Sequence, residues 1–238
     1  MTDPTTGWRN RMPVTEPRYI ELSHVIRAGM TTYPGLPGPE ITCHMSREQS
    51  RARYAAGTEF EICRISFVGN TGTYLDAPRH RFADGPDLAA VPLTRTVDLP
   101  AVVVRVEGAG RRGIGVEDLA GLDVRGAAVL LHTGDCSRFG TPAYADDAYF
   151  LTREGTAWLA ERGAALVGID AVNIDDVADG ERPAHTGLLA AGIPVVEHLT
   201  GLDQLPDTGA RFTAVPLRIE GFGSVPVRAF ARIPGSVE

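Results

Sequence analysis

Two stretches of the chain concentrate side chains that can move protons or hold a cation. The first, Asn70-Thr-Gly-Thr-Tyr-Leu-Asp-Ala-Pro-Arg-His80, sets Asn70, Tyr74, Asp76 and His80 behind an apolar segment and reads as a loop. Gly72 permits a tight backbone path and Pro78 stiffens it, which is how a loop holds polar groups in a fixed constellation. On spacing alone the plainer reading is commoner: Asp76 caps a turn and His80 lies at the surface. The second stretch runs from Pro183 to His198, with His185 entering a helix and Glu197 following the next strand. Their separation suffices for a helix and a returning strand to bring both to one end of a sheet, where they would meet the Asp76 loop. The plain alternative is a locally bonded His185 and an exposed Glu197.

Other chemistry is weaker or excluded. Gly108-Ala-Gly-Arg-Arg-Gly113 matches a dinucleotide fingerprint, but little room for a helix follows it and no acidic residue ends the next strand. Cys136, just beyond His132, reads as a structural thiol rather than a nucleophile, and no G-x-S-x-G elbow exists. All 23 basic residues are arginine. Without lysine there is no Schiff base, no P-loop lysine and no Ser-Lys dyad. Three widely spaced cysteines form no C-x-x-C pair. A net charge of −7 argues against nucleic acid and anionic membranes as partners. The N-terminal residues show no apolar leader and no run is long enough to span a bilayer, so the expected location is cytoplasmic.

The elements that must position these residues follow from periodicity. Residues 1–17, with Pro4, Pro13 and Pro17, read as a flexible arm, and 18–235 as one domain. Strands are expected at 19–26, 60–68, 101–106, 127–132, 165–170, 193–196, 211–219 and 225–233, several apolar throughout and hence covered on both faces. A helix is expected over 153–162, with Thr152 as N-cap and Gly163 just past its end, and a short one over 186–191. This is an α/β pattern: a single domain with a mixed β-sheet and flanking helices.

Taken together, the two polar stretches resemble the cyclase family of hydrolases, to which bacterial kynurenine formamidase and isatin hydrolase belong. The likeness spans nearly the whole chain beyond the arm. It includes Ile20-Glu-Leu-Ser-His-Val-Ile26, Tyr33-Pro-Gly35, Leu130-Leu-His-Thr-Gly134, Gly168-Ile-Asp170 with Asn173 and Asp175, and Arg228-Ala-Phe-Ala231. The family hallmark is H-x-G-T-H-x-D-x-P-x-H, whose first two histidines and aspartate bind metal while the last histidine does acid–base chemistry. This chain keeps Asp76, Pro78 and His80 but has Asn70 and Tyr74 where the ligand histidines stand. An amide oxygen is a weak ligand and a phenol must first lose a proton with a pKa near 10. The resemblance thus implies a swivelling β/β/α fold with no cofactor at the hallmark site. If a metal is kept, it is one Zn, Mn or Fe ion on Asp76, His185 and Glu197.

What the resemblance implies for function is a hydrolase of a small aryl formamide, cyclic amide or lactone. His80, Tyr74, Asp76 and Glu197 would be catalytic, with Asn70 and His185 binding substrate. A second reading is a metal-independent cyclase, dehydratase or isomerase in which His80, Tyr74 and Glu197 exchange protons with a natural-product-like substrate; a binding protein without activity is least favoured. The expected partner is a small molecule, and the expected assembly a homodimer or homotetramer. Cavity walls are expected from residues 35–48 and 138–150.

Overall fold

A computed structural model describes residues 16–235, so the expected arm lies almost wholly outside the described residues. In chain order the strands are β1 (Arg18–Glu21), β2 (Glu40–Met45), β3 (Ile62–Ser66), β4 (Tyr74–Asp76), β5 (Leu99–Arg105), β6 (Gly113–Ile114) and β7 (Ala128–His132). They continue with β8 (Phe150–Leu151), β9 (Leu166–Ile169), β10 (Val195–Glu197), β11 (Arg211–Thr213), β12 (Ser224–Pro226) and β13 (Phe230–Ile233). The helices are α1 (Arg47–Arg51), α2 (Val116–Leu119), α3 (Arg153–Arg162) and α4 (Pro183–Ala190).

Nine strands form one sheet in the order β1-β13-β11-β5-β7-β9-β10-β4-β12. Its centre, β5, β7, β9 and β10, is parallel, and both flanks are antiparallel. This is the expected single α/β domain with a mixed sheet. Strands β12 and β13 lie near opposite ends of that order, yet only residues 227–229 join them. Four residue steps reach at most about 14 Å, whereas seven strand spacings in a flat sheet would separate them by roughly 34 Å. The sheet must therefore curl on itself. Its seam is tied by Leu22 N–H donating to Ala229 O (3.0 Å), Val227 N–H donating to Thr73 O (2.9 Å) and a Ser23–Leu199 bridge.

Alternation along the strands builds two cores. Val103, Leu130, Val196, Leu75 and Phe212 fill the inside of the curl. Their neighbours Val104, Leu131 and Val167 face outward onto Leu159 of α3 and Leu188 of α4. Burial on both faces is why these strands read as continuous apolar runs.

Helix α3 has the expected ends: Thr152 Oγ1 accepts the Gly155 N–H at 3.1 Å, and Gly163 takes φ 76°. Other boundaries move. The 211–219 segment holds only the three-residue β11, the 225–233 segment divides into β12 and β13, and α4 begins at Pro183 rather than 186. The 70–80 stretch is not all loop, because Tyr74–Asp76 is a paired strand. Strand β2, unforeseen, pairs only with β3 in a separate ribbon. The 108–113 glycines lead into two-residue β6 and four-residue α2, with no dinucleotide-binding helix. No described helix is long and apolar enough to cross a membrane.

Candidate active site

Strand β4 lies between β10 and β12, and its register pairs the polar residues. Tyr74 stands opposite Glu197, and Asp76 opposite Ser224. Directly opposed side chains are about 5 Å apart at Cβ, close enough to bond. The Tyr74 hydroxyl accordingly donates to Glu197 Oε2 and the Ser224 hydroxyl to Asp76 Oδ1. Glu197 Oε1 accepts the Ile174 N–H at 2.6 Å.

His80 closes the one-turn 3₁₀ helix Pro78–His80, with its Nδ1 2.7 Å from Ser224 Oγ. Because Ser224 gives its only proton to Asp76, its lone pair must take the His80 Nδ1–H. That fixes the tautomer and leaves Nε2 as the basic nitrogen. Gly223 makes the approach possible, since a Cβ there would lie 2.6 Å from the backbone N and Cα of His80.

His185 is held by Asp175. Arg182, at φ 51°, begins α4 without a side-chain cap. The Asp175 carboxylate supplies the missing acceptors, receiving the N–H of Ala184 at 2.6 Å and of His185 at 3.1 Å. The same carboxylate takes His185 Nδ1 at 2.6 Å, so Nε2 points at Asp76 Oδ2 (3.5 Å) and Glu197 Oε1 (3.6 Å).

The electrostatics separate the two carboxylates that share this imidazole. Burial pushes Asp76 up, but His185, His80 and Ser224 together hold it below the usual carboxylate range. Glu197 is pushed up to about 7, by burial first and by Asp76, against the pull of His185. His185 is raised well above an ordinary imidazole because Glu197, Asp175 and Asp76 outweigh its burial. Burial and the Glu197 charge lift the Tyr74 phenol well above 10. Cys136 is pushed up to about 11, chiefly by burial, which leaves it a thiol at neutral pH and fits the structural reading.

Asn70, Tyr74, His80, His185 and Glu197 wall one cavity of about 430 Å³. Asp76, fully buried, lies behind His80 and His185. All six residues singled out in the sequence thus converge. The cavity takes Gly35 and Leu36 from the 35–48 segment but no wall from 138–150. Phe139 and Tyr144 of the latter instead pack on buried His198, with ring centroids 5.8 and 5.3 Å away. Sequence reasoning missed Ser224, Arg81 and Arg182 and saw Asp175 only as a family match; no motif marks Ser224, whose role arises from strand register alone.

The donor set fits a divalent cation. Asp76 Oδ2 is buried without a hydrogen-bond partner, and it faces an imidazole whose other nitrogen is fixed by a carboxylate, the usual support of a metal-ligating histidine. His185 Nε2 lies 3.5 Å from Asp76 Oδ2 and 3.6 Å from Glu197 Oε1, with an atom of His80 within 4.8 Å of Asp76 and His185, and two carboxylates with histidine suit Zn²⁺, Mn²⁺ or Fe²⁺.

A curled mixed sheet carrying a cavity lined by acid–base groups is the arrangement of an enzyme. The chain belongs to the putative cyclase family, whose model matches residues 20–176. Kynurenine formamidase of Bacillus cytotoxicus is 29% identical over 217 residues, covering 90% of this chain and 97% of its own. Isatin hydrolase A of Labrenzia aggregata, solved with benzyl benzoate, superposes with a TM-score of 0.79 at 24% identity, covering 92% and 94% of the two chains, a likeness of fold. A predicted metal-dependent hydrolase of Bacillus stearothermophilus gives 0.73 at 26%, covering 92% and 99%.

Proposed function

We propose that this enzyme hydrolyses the C–N bond of a small aryl amide, an aryl formamide or cyclic amide, with the aryl lactone as the oxygen counterpart. The observation that carries the reading is the Asp76–Ser224–His80 chain of hydrogen bonds, which leaves His80 Nε2 basic at the cavity wall. His80 takes a proton from the attacking water and returns it to the leaving nitrogen. Asn70, also on the wall, would bind the substrate carbonyl, a contact of the kind worth about 10²- to 10³-fold in rate. Asp76, His185 and Glu197 would hold one divalent ion. When bound, that ion supplies Lewis acidity and lowers the pKa of water.

The metal-free reading, with Tyr74 as a proton donor, draws on the Tyr74–Glu197 hydrogen bond. It is disfavoured because the phenol lies well above 10 and gives its proton to Glu197 rather than into the cavity. Tyr74 positions Glu197. The test is arylamine release from formanilide, with matched cyclic amides and lactones alongside, by protein supplied with Zn²⁺, Mn²⁺ or Fe²⁺. Hydrolysis that Asp76→Asn abolishes is expected; no cleavage of any of the three with any ion would contradict the reading.

A further inference from the structure

Beyond its acid–base groups the cavity is walled by Tyr33 and Leu36 and by two arginines, Arg81 and Arg182. Their partners are neutral: Arg81 Nε donates to Thr186 Oγ1 and Arg182 Nη1 to Asn173 Oδ1, each at 3.1 Å. Among the described residues neither guanidinium forms an ion pair, although Arg111, Arg138, Arg211 and others do. A guanidinium carries five N–H donors, so most of those on Arg81 and Arg182 remain for a ligand. Glu197, the sole carboxylate on the described wall, already accepts from Tyr74 and Ile174 and is one of the groups that would hold the ion. The cavity therefore presents unpaired positive charge inside a chain of net charge −7, in a concave site that focuses the field.

We propose that Arg81 and Arg182 form a carboxylate subsite, and that the substrate is an aryl amide bearing an anionic group and no ammonium group. Tyr33 and Leu36 offer the apolar surface for the ring. The one wall carboxylate, Glu197, is committed to Tyr74, Ile174 and the ion it would hold, so a zwitterionic amino-acid side arm is matched at one end only. Arg81 adjoins His80 in the chain and Arg182 lies three residues before His185, so an anion they hold sits within a side chain's length of the reacting groups. The substrate class rests on the hydrolase reading; the anion subsite does not.

The test is fluorescence titration with 2-, 3- and 4-aminobenzoate, and with aniline as the neutral control, of the wild type, Arg81→Gln and Arg182→Gln. An aminobenzoate is expected to bind the wild type better than aniline, and each substitution to weaken it about tenfold or more, as charge-assisted hydrogen bonds do. The kcat/KM preference for a formamidobenzoate over formanilide should collapse in parallel. Wild type that binds no aminobenzoate better than aniline, or variants that bind it equally well, would overturn the subsite. Binding lost in the variants while no formamide is cleaved would uphold the subsite and sink the hydrolase reading. Should Arg182→Gln fail to fold, as circular dichroism would show, exposed Arg81 decides alone.

Discussion

At the scale of residues, the site turns on which groups keep their protons. Glu197 has a pKa of about 7 in the fold against roughly 4.3 in an unfolded chain. A raised carboxyl pKa means that the folded state binds the proton more tightly. The associated stability is complete below pH ~4.3 and is lost as pH rises through 7. In chelator-treated protein, wild type and Glu197→Gln should have similar melting temperatures near pH 5, and the variant should become the more stable of the two by pH 8. A difference that stays constant with pH would show that Glu197 titrates normally. Spacing alone favoured the plainer reading; Asp76 and His80 were legible because they keep two positions of the family hallmark, and His185 and Glu197 because a helix and a returning strand separate them. Ser224, 148 residues from Asp76 and 144 from His80, was not, since a serine beside a glycine announces nothing until strand register is known.

At the scale of elements, short pieces do the positioning. Strand β4 has three residues, and the turn formers around it made it read as loop; pairing on both edges overrides that local signal. Helix α4 starts three residues early because Pro183 suits a first helical position and the Asp175 carboxylate, remote from any capping-box spacing, receives its free N–H groups. Helix α3, by contrast, carried its own stop and start in Thr152 and Gly163 and was readable to the residue. The Gly223 contact offers an element-level test. Gly223→Ala forces β12 and the His80 turn apart, because the added methyl meets backbone rather than a flexible side chain. It should cost about 1–3 kcal/mol of stability, the usual cost of overpacking, and should lower kcat more than KM by breaking the His80–Ser224 contact. Unchanged kcat in a folded variant would mean that His80 does not depend on this approach.

At the scale of the whole molecule, the sequence disclosed an α/β domain with strands buried on both faces but not the curl. Closure depends on residues 227–229 joining strands near opposite ends of the sheet order, and a reading of 225–233 as one strand hides it. Curling is what brings β12, with Ser224, beside β4 and places His80 over a cavity floored by β10 and α4 residues. The central claim is that this assembly makes His80 the acid–base group of an aryl amide hydrolase. The most direct measurement is kcat/KM for an aryl formamide at pH 7 in metal-supplied wild type and His80→Ala. The expected result is measurable hydrolysis by the wild type and a fall of about 10²- to 10⁴-fold in the variant, the usual share of general acid–base catalysis. Equal rates in the two proteins would contradict the account.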